Sequence, residues 1–578
     1  MFTLGINAAY HDCSAALVRD GVVLAAAEEE RFTRVKHGKR PVPFTTWQLP
    51  YYAIDYCLSA GDIRLRDVDH IVYSYDPTLL AEGGQLSADV ILPLEPSRAG
   101  LGEEGQSPWD PLFLSYLVNA PRQLLDGAPH HLKSPRFDDL TLEHITERWV
   151  YLDHHLSHEA SAFLAAPCAE SAVLTMDGRG ERTTTSYGNF SGGEYARLKQ
   201  IDLPHSLGLL YEEVTRYLGF LHSSDEYKVM ALASYGKPEF RAEFRDILRL
   251  EEDGGYSLHP ARLAERFGPP RRRGTPFEDR HKHIASSLQY VLEETALHMA
   301  QWLHDKTGAP NLSMAGGVAL NCVMNARIAR DGPFESVWVQ PAAGDAGTSL
   351  GAALYVDYHR RGGKREWAMD DAYLGPSYSD DEIERFLYAS RQDFRRLDDV
   401  AGEAAALLAQ DKILGWFQGR MEFGPRALGA RSILASPLDS AMQARLNGLK
   451  DREDFRPVAP VVMEERAADW FDGRGASICA PFMLFVYDVL AHRAQQIPAV
   501  RHIDGTARVQ TVRRDQNMRY YDLLAAFERL TGVPVLVNTS FNTRGEPVVC
   551  SPRDALECFW TSPLDALVIG PYLIEKPR

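Results

Sequence analysis

Apolar residues over the first thirty positions fall into short runs separated by turn formers. Residues 2–7, 14–19 and 22–27 read as three strands, the last two joined across the Asp20-Gly21 turn signal. Between the first two lies a polar loop with His11 at its tip. The plan recurs about 170 residues on. Residues 172–176 are apolar, Asp177-Gly178-Arg179-Gly180 follows, and residues 183–190 lead through Ser191-Gly192-Gly193 into a further strand. Asn7 maps onto Asp177 in this repeat, the way a duplicated actin-like ATPase fold begins each half.

Apolar positions at three- and four-residue steps predict helices over 240–250 and 284–304. The stretch 81–133, rich in Gly, Pro and Ser, reads as a surface insertion and a lid that shapes the acceptor site. A charged, Gly-containing connector at 360–376 places the domain boundary, with 1–365 before it and 373–578 after. The second part carries its own strands at 413–417, 533–538 and 566–569, enough for a separate α/β domain.

Composition narrows the class. A chain of 578 residues exceeds one hydrophobic core, and 45% hydrophobic with 24% charged residues is ordinary for a globular protein. No long apolar span and no leader pattern is apparent, so the expectation is a cytoplasmic protein without a membrane partner. The cysteines show no zinc or redox spacing. A net charge of −17 disfavours a nucleic-acid partner, which makes local cation clusters stand out as sites for small anions.

His154 and His158 lie four apart, so on a helix both imidazoles leave one face and can share a metal ion. Asp177 and Asp345 are the candidate carboxylates, though Asp345 could equally be an N-cap. Two imidazoles with carboxylates suit iron(II), manganese or zinc. The run from Met314 to Asn321 reads as a strand, a double glycine and a helix start, a place for phosphate. Between Gly419 and Pro460 seven cations (Arg420, Arg426, Arg431, Arg445, Lys450, Arg452, Arg456) face five acids, and Asn538, Ser540 and Asn542 follow a strand downstream. Such loops fork onto phosphate and carboxylate oxygens.

The motifs YHDCSAAL, DHHLSHEASAF, MDGRGE, HSLGLLYEEVT, KVMALASYGKP, AGGVALN, GDAGTSLGAA, GPRALGARS, KDREDFRPVAP and NTSFNTRGEPVV, in this order over the whole chain, resemble the carbamoyltransferase family of the nodulation-factor and antibiotic-tailoring type. The tobramycin and cephamycin carbamoyltransferases are members. The resemblance implies an α/β architecture: an actin-like, threonylcarbamoyl-transferase-like N-terminal domain joined to a YrdC-like α/β domain. It implies two steps. Carbamoyl phosphate and ATP, with magnesium a further expectation, give carbamoyl-AMP in the C-terminal domain, and the N-terminal domain passes the carbamoyl group to a hydroxyl of a small molecule.

By that resemblance His154, His158, Asp177 and Asp345 match metal ligands. Arg426, Lys450, Arg456, Arg508, Asn538 and Ser540 match the activation site, and Gly208, Gly317 and Asn321 match positions touching carbamoyl-AMP. His11 matches the base beside the acceptor, with a loop histidine bonded to Asp12 as the plainer alternative. The competing functions are threonylcarbamoylation of tRNA and a non-enzymatic actin-like ATP-binding scaffold. Whether the protein is a monomer or a homodimer stays open.

Overall fold

The structure, a computed structural model, describes residues 1–38, 49–82, 128–137, 139–475 and 477–576. Most of the stretch read as a lid, 81–133, lies outside them.

Two five-stranded sheets repeat one plan. The first runs in space Val22–Glu28, Ser14–Arg19, Phe2–Asn7, His70–Tyr73, Trp149–Tyr151. The second runs Glu194–Asp202, Thr183–Ser191, Ser171–Met176, Asn311–Ala315, Ser336–Val339. In chain order each is third, second, first, fourth, fifth. In each, the first three strands are antiparallel and the last two join the first in parallel. The duplication read from two hairpins therefore extends to all ten strands, which is the actin-like topology. Asp20 and Gly21 both take positive φ, the backbone an Asp-Gly hairpin turn requires.

The helix Ala346–Arg360 lies between the sheets, and close approach is what its small residues allow. A Cβ on Gly5 would sit 1.9 Å from the Ser349 carbonyl oxygen, and one on Gly351 would sit 1.9 Å from that of Ser157. The helix is thus pressed against both the Phe2–Asn7 strand and the helix His154–Phe163, so three elements with candidate residues at their ends meet at one point.

Residues 284–304 lie within one helix, Asp279–Thr307, whose apolar face Leu288, Val291, Leu292, Ala296, Met299 and Leu303 is buried. The helix expected over 240–250 is shorter, Arg241–Ile247. Leu248–Leu250 then pairs antiparallel with Tyr256–Leu258, because the Gly254-Gly255 turn returns the chain within hydrogen-bonding reach.

The C-terminal half has its own eight-stranded mixed sheet, the α/β class expected. Its order in space is Arg395–Arg396, Tyr572–Glu575, Ala566–Ile569, Leu414–Phe417, Arg431–Ala435, Val535–Ser540, Ala459–Met463, Gln510–Val512. The halves are not independent bodies. The largest apolar cluster, centred on the second sheet, includes Phe423, Leu428, Ala459 and Phe482 from beyond the connector. Polar contacts add to it: Arg420 donates to the Leu24 carbonyl at 2.7 Å, and Glu28 accepts from Gly424 N at 2.9 Å. Among the described residues no helix is long and apolar enough to cross a membrane.

Candidate active site

The helix His154–Phe163 starts where Asp153 caps it by accepting from Leu156 N, which fixes His154 in the first turn and His158 one turn later. Both imidazoles are fully buried. Asp177 follows the Ser171–Met176 strand, the first strand of the second repeat, and is buried against them. Asp345 occupies the cap position of the helix Ala346–Arg360 but makes no side-chain cap bond. Its carboxylate turns toward the histidines, so the side-chain cap bond, one of the two roles the sequence left open, is not made.

One donor atom from each of His154, His158, Asp177 and Asp345 lies within 4.8 Å of every other. His154 Nε2 is 3.7 Å from both Asp177 Oδ2 and Asp345 Oδ1, and His158 Nε2 is 4.0 and 3.8 Å from the same atoms. These distances exceed hydrogen bonds, and both Nε2 atoms are buried with no hydrogen-bond partner. Four buried donors that converge without bonding to one another fit a divalent cation at their centre. The His154 Nδ1 lies 3.2 Å from the Ser74 carbonyl, which leaves Nε2 for the centre.

Electrostatics agree. Burial works against a charged His154, but the carboxylates of Asp177 and Asp345 outweigh it and push its pKa up to about 9. Asp177, despite burial, is held well below the usual carboxylate range by His154 and His158. The cluster thus favours positive charge at its middle. His155 sits apart, with Nδ1 2.8 Å from the Thr175 hydroxyl. Its pKa is driven well below the ordinary value by burial and by its two histidine neighbours, so it is neutral.

His11 stands at the edge of this cluster, Nδ1 2.9 Å from Asp12 Oδ2 and 4.0 Å from Asp345 Oδ2. The Asn7 side chain donates to the carbonyls of both His11 and Asp12 and holds the loop in place. The contact with Asp12, one of the two readings of this histidine, is made, and the same ring stands beside the cluster. Burial opposes charge on His11, but Asp345 and Asp12 outweigh it and raise its pKa to about 10.

Gly317 donates its N–H to Asp177 Oδ1 at 2.7 Å. Gly208 lies in the first turn of the helix Leu207–Tyr217, where a Cβ would fall 2.6 Å from the Gly178 Cα. Asn321 caps the helix Cys322–Asp331 and pairs with Gln289 at 2.9 and 3.1 Å. Gly317 and Gly208 thus meet Asp177 and the residue after it, and all three line one cavity.

The cationic residues gather on the other half. Lys450 donates to the Ser540 carbonyl, the Ser540 hydroxyl and Asn542 Oδ1. Burial, with Arg452 and Arg456 nearby, drives its pKa well below the usual lysine value. Arg426 and Arg508 are half-buried, each with a buried Nε that has no partner. Burial and the Arg508 charge press the pKa of Arg426 down to about 9. Asn538 donates to the Ala427 carbonyl and to Gln510, with its Oδ1 unpartnered. Partly buried cations gathered in this way suit an anionic ligand.

One cavity of about 860 Å³ joins the two groups. Every residue matched through the resemblance, from His11 to Ser540, lines it except His154 and His158, which sit behind Asp177 and Asp345, whereas three of the seven clustered cations do not: Arg420 bonds the Leu24 carbonyl, Arg431 packs over Phe417 and Arg445 bonds the Asp411 carbonyl. Three contributors went unread in the sequence. The Glu181 carboxylate accepts from His154 N and Asp76 N, and burial and Asp153 lift its pKa to about 8. Tyr10 packs its ring 5.3 Å from His154. Tyr227 packs under Arg456. Glu181 lay inside a recognised motif, but nothing in spacing marks a residue whose role is to hold another.

The family model described as Carbamoyltransferase N-terminus matches residues 3–354, and that described as Carbamoyltransferase C-terminus matches 405–576. The nodulation protein NolNO of Sinorhizobium fredii is 38% identical over 589 residues, 99% of this chain and 80% of that one. The nodulation protein NolO of Bradyrhizobium diazoefficiens is 41% identical over 438 residues, 74% of this chain and 79% of that one. Among solved structures, (R)-2-hydroxyglutaryl-CoA dehydratase component A of Acidaminococcus fermentans aligns at 15% identity and a TM-score of 0.32, covering 62% of this chain and 99% of its own.

A duplicated actin-like half, a second α/β half and matches at both ends define an enzyme, a transferase. The chain belongs to the carbamoyltransferase family, and the carbamoyl group is what it transfers.

Proposed function

We propose that this carbamoyltransferase works in two steps on opposite walls of one cavity. Carbamoyl phosphate gives up its phosphate to water, and the resulting carbamate oxygen attacks the α-phosphorus of ATP. Carbamoyl-AMP forms and pyrophosphate leaves. The acceptor is then a hydroxyl of a small, sugar-like or natural-product molecule. Its oxygen attacks the carbamoyl carbon, and AMP leaves. The observation that carries this reading is the one cavity into which both the four-donor His/Asp cluster, through Asp177 and Asp345, and the partly buried cations open.

The residues divide the work. Arg426, Arg456 and Arg508 supply fixed positive charge where the phosphates of ATP and carbamoyl phosphate gather charge in the transition state, and Lys450, whose proton burial and the neighbouring arginines loosen, gains its charge as an anion comes to face it. Asn538 and Ser540 supply neutral donors and acceptors beside them. Gly317, Gly208 and Asn321 line the route toward Asp177, leaving room for the adenylate. His154, His158, Asp177 and Asp345 would hold a divalent metal, with iron(II), manganese and zinc all suited to the donor set. When bound, that ion supplies Lewis-acid polarisation of the adenylate phosphate. His11, its Nδ1 engaged by Asp12, faces the acceptor with its other ring nitrogen; Asp345 and Asp12 hold the ring protonated, and it would become a base for the acceptor hydroxyl where a divalent ion neutralises Asp345.

A net charge of −17 supports a small-molecule acceptor over tRNA. The test is a mass-spectrometric screen of candidate alcohols with carbamoyl phosphate, ATP and iron(II), expecting a gain of about 43 Da in one class of polyol. Pyrophosphate release that does not depend on carbamoyl phosphate, or retention on tRNA at physiological salt, would count against the proposal.

A further inference from the structure

The loop at 450–457 carries Lys450, Arg452 and Arg456 into the cavity, yet much of its support comes from the other half of the chain. Helix Glu226–Ala233 presents two consecutive residues to it. The Lys228 ammonium pairs with Glu453 at 2.9 Å, and the Tyr227 ring lies 4.7 Å beneath the Arg456 guanidinium. Between them Phe455 inserts among Phe277, Tyr235 and Phe220, with ring centroids 5.6, 6.2 and 6.5 Å away. The Tyr235 hydroxyl donates to the Phe455 carbonyl at 3.3 Å.

The way Arg456 is held matters. Its Nη1 is 3.7 Å from Glu453, an acid already shared with Lys228. A long cationic side chain beside a carboxylate tends to collapse onto it, and the N–H groups it would offer a ligand are then spent. An aromatic face avoids this, because the attraction runs through the plane of the guanidinium and leaves its N–H edge free. Tyr227 itself lines the cavity and donates to no residue on that loop.

We infer that Tyr227 is a positioning residue for the activation step: from the N-terminal half, its ring face holds Arg456 open toward the anion on the C-terminal wall. This rests on the two-step reading above and extends it, because the activation site is then completed by the half assigned to transfer.

The decisive comparison is among wild type, Tyr227→Leu, which keeps bulk without a ring, and Tyr227→Phe, which keeps the ring without the hydroxyl. Binding of inorganic pyrophosphate to the full-length chain is read first by calorimetry, since it needs no turnover and no acceptor. Tyr227→Leu should bind about tenfold more weakly, and Tyr227→Phe should recover to within about twofold of wild type. Equal binding by the Leu variant, or no binding to wild type, overturns the inference. Pyrophosphate release from ATP and carbamoyl phosphate is then measured on wild type alone. Its absence would sink the activation reading, while the binding comparison still decides the role of Tyr227.

Discussion

His154 Nε2 and Asp345 Oδ1 lie 3.7 Å apart on two helices that meet only because both carry small residues at their crossing. Neither atom's group is neutralised by a hydrogen bond within the pair, and the carboxylates lift the His154 pKa to about 9. Removing one member should empty the centre. His154→Ala and Asp177→Ala should each lose bound metal on dialysis and abolish carbamoyl transfer, exceeding the ~10–100-fold typical of outer-sphere changes. Pyrophosphate release should persist, and its equal loss would show that the two steps are not divided as proposed.

The opposite wall gives the converse. Arg456→Ala or Arg508→Ala should lower carbamoyl-AMP formation by about 10²–10³-fold, since each removes fixed charge facing the developing anion. Either variant should still pass the carbamoyl group from supplied carbamoyl-AMP to an acceptor. Failure in that assay would place these arginines in both steps.

Gly351 tests the scaffold. A methyl there would meet the Ser157 carbonyl at 1.9 Å, on the helix that carries His154 and His158. Gly351→Ala should cost about 1–3 kcal/mol in chemical denaturation and weaken metal retention, because the helix must move aside. A variant with lowered stability and wild-type metal content would show that the donor set tolerates that shift.

Glu29 sets a pH dependence. Its buried carboxyl accepts from Ala53 N and Tyr52 N at 2.8 and 3.2 Å, and burial nevertheless raises its pKa from 4.5 to about 7. The folded chain therefore holds this proton more tightly than the unfolded one. The stabilisation is full below pH about 4.5 and is lost as pH rises through about 7, a change of about 3 kcal/mol. Urea denaturation of wild type and Glu29→Gln at both ends of that window should show wild type losing ground to the variant as pH rises. A constant difference would refute the assignment.

Local patterning carried much of the architecture. The hairpins at Asp20-Gly21 and Gly192-Gly193 and the four-residue spacing of His154 and His158 are written in adjacent residues, because turns and helical faces are short-range properties. Residues 360–376 were read as a connector, and that reading gave no sign of the apolar core that holds residues from both sides of it. Asp345 shows why: N-cap and ligand look alike in sequence, and only the packing of its helix against His154–Phe163 turned the carboxylate inward.

The roles of Tyr227 and Glu181 were not legible for the same reason, even though Glu181 lies within a recognised motif. Each acts on a side chain or backbone group distant in sequence, at Arg456 and at His154. By itself the sequence determined the elements, the repeat and the chemical kinds of the cavity residues. The tertiary structure decided which of them share a cavity, since convergence depends on how sheets and helices close on one another, and that is a long-range property no local spacing encodes.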